Sequence, residues 1–183
     1  MRAALLAGFM LLVGGAGQAQ GLDARWGLRW GQSPEEVRTQ VSTWRELSAS
    51  GDMARFIVTS SRVRHPAFPM QVLGFRQGRL VEVRSISKLF TDDPEGREGK
   101  LAHFGLGLPL QARYGQPSKI YEETLPPDRQ PAEGFYACLQ TDGCGLWART
   151  WEHAEAYVVL ELKPGQVPRS GWLVLHAMEP AAR

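Results

Sequence analysis

The chain has 183 residues, 21 Lys and Arg against 19 Asp and Glu, a formal net charge of +2 and two cysteines. That balance excludes the strong basic excess of a nucleic-acid binder, and the length suits one domain rather than several. A chain of this size buries roughly 70% of its unfolded surface, so a core does not require a structural metal or many disulfides.

The N-terminus reads as a secretory leader. Arg2 supplies a positive start, an apolar run covers 3–13, and Gly17 and Ala19 place small residues before a cut ahead of Gln20. The apolar run is too short to span a bilayer, which takes about 20 residues. The expectation is a leader over 1–19 and a single domain over 20–183, exported to the periplasm or medium, with no stable membrane insertion once the leader is removed.

Trp26 and Trp30 flank a short predicted strand. Ser33, Pro34 and Glu36 form a helix start, with an N-cap, a proline at the first helical position and a capping box. Val37, Val41, Trp44 and Leu47 recur at helical spacing, which predicts an amphipathic helix over 34–47 with Trp44 in the core. Strands are predicted over 54–63, 70–75 and 80–89, the last two joined by an Arg76-Gln77-Gly78-Arg79 turn. Arg55, Arg62, Arg64, Arg76, Arg79 and Arg84 form a mild basic run, read as the wet face of these strands.

Asp93 and Pro94 predict a second helix start. Leu101, Phe104, Leu108 and Ala112 form its apolar stripe, and Pro109 suggests a kink. Tyr114-Gly115-Gln116-Pro117 stops it. Strands then read over 135–138, 144–152, 156–162 and 171–178. The pattern predicts an α+β fold, an antiparallel sheet with two helices on one face, in a loose tandem of two helix-plus-meander units.

Cys138 and Cys144 lie in a chain bound for an oxidising compartment, so a disulfide is expected. The Asp142-Gly143 turn signal places it at a hairpin tip, with Gln140 and Asp142 presented there. The spacing is unlike the Cys-x-x-Cys of thiol–disulfide exchangers.

No catalytic or metal constellation is evident. His65, His103, His153 and His176 lack zinc-site spacing, no nucleophile elbow is present, and no cofactor is implied. Trp147, Arg149 and Trp151 share strand parity and so one face. If bare, that face could stack on a glycan or receive a protein; if covered by a helix, the residues are core. The primary expectation is a non-catalytic binder of an envelope protein or glycan, using Trp147, Arg149, Trp151 and the disulfide tip. One rival is an envelope-acting enzyme drawing acids from Asp92, Asp93, Glu122 or Glu123. Another is an assembly factor that offers a free sheet edge at 171–178 to a client strand.

The start Trp30-Gly-Gln-Ser33-Pro34-Glu-Glu36-Val37, the helix end at Tyr114–Pro117 and the stretch from Cys138 through Cys144-Gly145 to Trp151 resemble small exported bacterial proteins. Their helix-then-strands halves are similar to the tandem architecture of β-lactamase inhibitory protein. Ala137-Cys138…Cys144-Gly145 also resembles the disulfide-closed hairpin of Ivy-type periplasmic lysozyme inhibitors, although the loop is one residue longer and lacks their histidine. These resemblances imply an exported α+β fold and, as an alternative function, a periplasmic inhibitor of a cell-wall or antibiotic hydrolase.

Overall fold

The computed structural model describes residues 25–59 and 65–180. The expected leader, Arg62 and Arg64 lie outside the described residues. One antiparallel sheet of eight strands runs in the order β1-β2-β3-β4-β8-β7-β6-β5. The strands are β1 (Arg45–Ser50), β2 (Met53–Val58), β3 (Met70–Arg76), β4 (Arg79–Ile86), β5 (Lys119–Thr124), β6 (Gly145–Glu152), β7 (Tyr157–Pro164) and β8 (Gly171–Met178). Two four-stranded meanders therefore meet at the β4–β8 seam, where Glu82 to Ile86 pair with Met178 to Val174. The helices are α1 (Pro34–Arg38), α2 (Arg97–Tyr114) and α3 (Phe135–Gln140). The α+β class and the antiparallel sheet are as the pattern predicts.

The first helix begins as expected. The Ser33 hydroxyl accepts from the Glu36 amide at 3.2 Å, and the Glu36 carboxylate accepts from the Ser33 amide at 2.7 Å. It ends at Arg38, not at 47. Ser42 and Thr43 bond to the Thr59 carbonyl instead, and Trp44 stacks on Phe56 with centroids 4.4 Å apart. The stiff Val41 and Thr43 disfavour a continued helix, and pairing with β2 takes the rest of the segment. The 26–30 segment is turn rather than strand. Gln77 and Gly78, both at positive φ (50° and 73°), make the expected tight β3–β4 hairpin.

The second helix is one continuous α2 with Pro109 inside it, and its predicted stripe is reversed. Leu101, Phe104 and Leu108 are exposed, while Gly99, His103, Gly107, Leu110 and Tyr114 face the sheet. The buried set also follows helical spacing, but small and polar residues disguise it. Close approach is the reason. A Cβ at Gly99 would stand 2.2 Å from the Tyr136 hydroxyl, so the glycine side must face inward. Asp93 acts on this helix from outside it, accepting from the amides of Arg97 at 2.7 Å and Gly99 at 3.2 Å. Gly96, at φ 66°, takes the N-cap position.

Two further elements depart from expectation. β5 was not predicted, because Lys-Ile-Tyr-Glu-Glu-Thr has no clean alternation. The 135–138 segment is helical. The Phe135 amide donates to the Pro94 carbonyl at 2.7 Å, and the helical turn buries Phe135, Tyr136 and Cys138 together. The Cys138–Cys144 disulfide thus clamps α3 to the start of β6 and does not close a hairpin tip.

All three helices cover the same face. Val37 of α1 packs with Leu73, Phe75, Leu80 and Val83 over the first meander. Over the second, Leu110, Tyr114, Phe135 and Tyr136 pack on Val158, Leu160, Leu162, Leu173 and Leu175.

Candidate functional site

Trp147, Arg149 and Trp151 share a face, and it is the covered one. Trp151 is 1% exposed, and its indole N–H donates to the Gly115 carbonyl at 3.0 Å. The Arg149 guanidinium lies against Gly107, where a Cβ would come within 2.8 Å of it, and it donates to Glu122 at 2.5 Å. Trp147 packs edge-on against Phe135 and is capped by the Lys100 ammonium at 4.9 Å. These side chains tie α2 and α3 to the sheet and do not form a bare platform. Gln140 and Asp142 are exposed beside the disulfide. Gln140 borders a cleft of about 300 Å³ between α3 and the β7–β8 loop.

The nominated acids separate into different roles. Asp93 is buried and holds the start of α2 together with the Tyr136 hydroxyl, at 3.0 Å. Burial, together with the Asp93 carboxylate, pushes the Tyr136 hydroxyl above its usual range. Asp92 is exposed, 3.6 Å from Arg169. Glu122 is bound to Arg149 and lies 3.6 Å from His103 Nδ1. His103 is buried against the Leu160 carbonyl at 3.1 Å. Burial lowers its pKa to about 4, against the smaller raising effects of that carbonyl and Glu122. It is therefore a neutral core histidine at pH 7. The cleft beside α3 offers one carboxylate, Glu133, and a broader one of about 690 Å³ at the β5–β6 mouth offers only Glu123. Neither brings two acids into convergence, which acid–base catalysis by a carboxylate pair needs. Among the described residues no cluster of three His, Cys, Asp or Glu side chains could hold a metal ion.

The expected free edge at 171–178 does not exist. β8 lies in the middle of the sheet, paired to β4 on one side and β7 on the other. The tertiary crossover puts the last strand against the fourth, which sequence order does not reveal.

Chemistry is instead concentrated on the sheet face opposite the helices. Because Leu173, Leu175 and Ala177 point to the helices, Trp172, Val174, His176 and Met178 point away. Register places Tyr157, Val159 and Glu161 of β7 beside them, and Glu82, Arg84 and Ile86 of β4 on their other flank. Arg55 continues the row on β2, beside Gly74. Glu82 is the centre of this face. Its carboxylate accepts from Arg55 Nε at 3.2 Å and from Arg84 Nε at 2.5 Å. His176 Nε2 lies 2.8 Å from it, off the line of a regular hydrogen bond. Burial alone would raise the Glu82 carboxyl, but His176, Arg84 and Arg55 outweigh it and hold the pKa at about 2. Gly74 makes the room, since a Cβ there would stand 2.7 Å from Glu82 Oε2. One carboxylate thus orders two partly exposed guanidiniums and leaves an excess of positive charge.

The sequence does carry a signal for this face. In 171–178 both alternating sets are largely apolar or aromatic, whereas a wet strand face would be polar. Comparison with known proteins returns nothing: no family description fits the chain, and neither a curated protein nor a solved structure matches it.

Proposed function

We propose that this is an exported, non-catalytic binding protein, whose uncovered sheet face receives an acidic protein of the cell envelope. The observation that carries the reading is the division of that face into two parts. Arg45, Arg55, Arg76 and Arg84 lie on it over the first meander, and Trp172, Tyr157, Val174 and Val159 over the second. Arginine and large aromatic side chains are the residue types that dominate binding hot spots. The Glu82 carboxylate holds Arg55 and Arg84 in place before a partner arrives, which lowers the ordering cost of association. The Cys138–Cys144 bond is compatible with an oxidising compartment, and a leader-like N-terminus supports export.

The reading is tested by crosslinking capture from envelope extract, run beside a pull-down on insoluble cell-wall glycan. Native protein is compared with R55E/R84E and with Trp172→Ala. The expected result is an acidic envelope protein whose capture falls at least about tenfold in both variants. Equal capture by native and variant proteins overturns the reading. Retention by glycan alone moves the ligand to the cell wall.

A further inference from the structure

The two ends of the sheet are finished differently. β1 is interrupted by a bulge between Glu46 and Ser48 and carries the charges of Arg45 and Glu46, devices that blunt a strand edge against pairing. β5 pairs with β6 residue for residue, from Lys119 opposite Thr150 to Thr124 opposite Gly145, with no register shift. Among the described residues its other side carries no strand. The Leu125 amide extends the ladder by donating to the Cys144 carbonyl at 2.8 Å. Hydrogen-bonded residues alternate along an antiparallel pair, so the odd-numbered positions of β5 bond to β6. The N–H and C=O groups of Ile120, Glu122 and Thr124 therefore point out of the sheet. Ile120 is 56% and Tyr121 44% exposed, and Lys119 and Glu123 are exposed on either side.

We infer that β5 is a self-association edge, at which two copies of the chain pair β5 to β5, antiparallel, about a two-fold axis through Tyr121. Four registers match outward-pointing residues to one another, with the axis at Ile120, Tyr121, Glu122 or Glu123. An axis at Glu122 or at Glu123 sets two carboxylates directly opposite, which is unfavourable. The axis at Ile120 sets Lys119 opposite a tyrosine and leaves Glu123 without a basic partner. The axis at Tyr121 sets Lys119 of each copy opposite Glu123 of the other, twice, with the two Tyr121 rings side by side between the ion pairs. All of these side chains lie on the uncovered face, since Tyr121 pairs with Ala148 and Ala148 with Glu161. On the helix side Ile120 meets the stem of Glu122, whose charge is already held by Arg149 at 2.5 Å. A self-complementary patch of this kind closes as a two-fold dimer and does not propagate into a filament. It would join two eight-stranded sheets into one and align their uncovered faces. The inference stands independently of what that face binds.

The test is sedimentation equilibrium of the purified, disulfide-bonded protein over a wide concentration range. The expected native behaviour is a monomer–dimer equilibrium that weakens as salt is raised. Lys119→Glu and Glu123→Lys, each alone, put like charges opposite and weaken the dimer by at least about tenfold. The exchanged pair K119E/E123K recreates attraction and restores association. Ile120→Pro removes an outward N–H without touching the β6 ladder and abolishes the dimer, with far-UV circular dichroism confirming that the monomer stays folded. A native protein that stays monomeric throughout overturns the inference. So does a dimer that both single charge variants leave intact, or one that the exchanged pair fails to restore.

Discussion

Over the first meander the covering layer is a five-residue helix and the 26–32 turn, and the contacts beneath are aliphatic and aromatic: Leu28, Val37, Leu73, Phe75 and Leu80. Over the second it is an eighteen-residue helix, a disulfide-clamped α3 and a set of buried polar groups: His103 on the Leu160 carbonyl, Glu122 on Arg149, and Tyr136 on Asp93. The strand plan is the same in both halves and the cover is not. Where the cover is short, apolar packing is joined by a few bonds to β4: the Gly31 amide donates to the Leu80 carbonyl and the Leu80 amide to the Gln32 carbonyl, both at 2.9 Å, and the Trp26 indole N–H donates to the Ser85 hydroxyl. Where glycines at 99 and 107 let a long helix settle onto the strands, polar side chains come within reach of one another, and each must find a partner or remain costly to bury. The second half therefore buries a titratable side chain, His103, beneath its cover, whereas the pH-sensitive group of the first half, Glu82, lies on the opposite face of the sheet.

The sharpest way to break the comparison is to remove the largest buried ring of the second half. Trp151→Ala loses a fully enclosed indole and its bond to Gly115, and is expected to cost about 3–5 kcal/mol. Trp44→Ala in the first half removes a partly exposed ring stacked on Phe56 and should cost about 1–2 kcal/mol. Urea unfolding of both variants measures the difference. Because the β4–β8 seam makes one sheet, each should still unfold in a single transition; two separated transitions would show that the halves are independent.

The polar interior gives the next effect, through pH. His103 titrates near 4 in the folded chain against an ordinary 6.5. The unfolded chain therefore takes up this proton first on acidification. Stability is complete above pH 6.5 and falls between there and about 4, by up to about 3 kcal/mol. Glu82, held near 2 against an ordinary 4.5, contributes stability above 4.5 that is lost as pH falls toward 2. Urea midpoints at pH 7, 5 and 3 should separate the two groups. His103→Leu removes the loss between pH 7 and 5 while leaving the lower window. Glu82→Gln lowers stability at pH 7, because the buried acceptor of Arg55 and Arg84 loses its charge, and flattens the lower window.

The smallest expected change sharpens the first half's side of the comparison. Ser33→Ala removes the cap of a helix that has only five residues, and should cost about 1 kcal/mol with no change in pH dependence. Thermal denaturation at pH 7 and pH 5 should show the same decrement at both.

Elements signalled by local stereochemistry were legible in the chain. The Ser33–Glu36 capping box, the Gln77-Gly78 turn and the strands at 70–75 and 171–178 rest on preferences that act within a few residues, and so did the α+β class. The errors share a cause. The 34–47 helix, the 135–138 strand and the inward stripe of Leu101, Phe104 and Leu108 were read from apolar spacing, but what each segment packs on lies far along the chain. Phe56 claims Trp44, Pro94 fixes the start of α3, and Tyr136 demands Gly99. The nominated Trp147, Arg149 and Trp151 were placed on one face by parity, and parity cannot say which face a helix covers.

By itself the sequence determined the Ser33–Glu36 capping box and the Gln77-Gly78 turn, that the strands pair antiparallel, and that Cys138 and Cys144 are near enough to join. Only the tertiary structure decided that β8 lies against β4, that the tryptophans of β6 are enclosed, and that Glu82 gathers Arg55, Arg84 and His176 on the uncovered face. Turn and cap energies depend on neighbours in sequence, whereas strand order and the choice of buried face are set by contacts between residues up to about a hundred positions apart, whose closure cost only the complete core offsets.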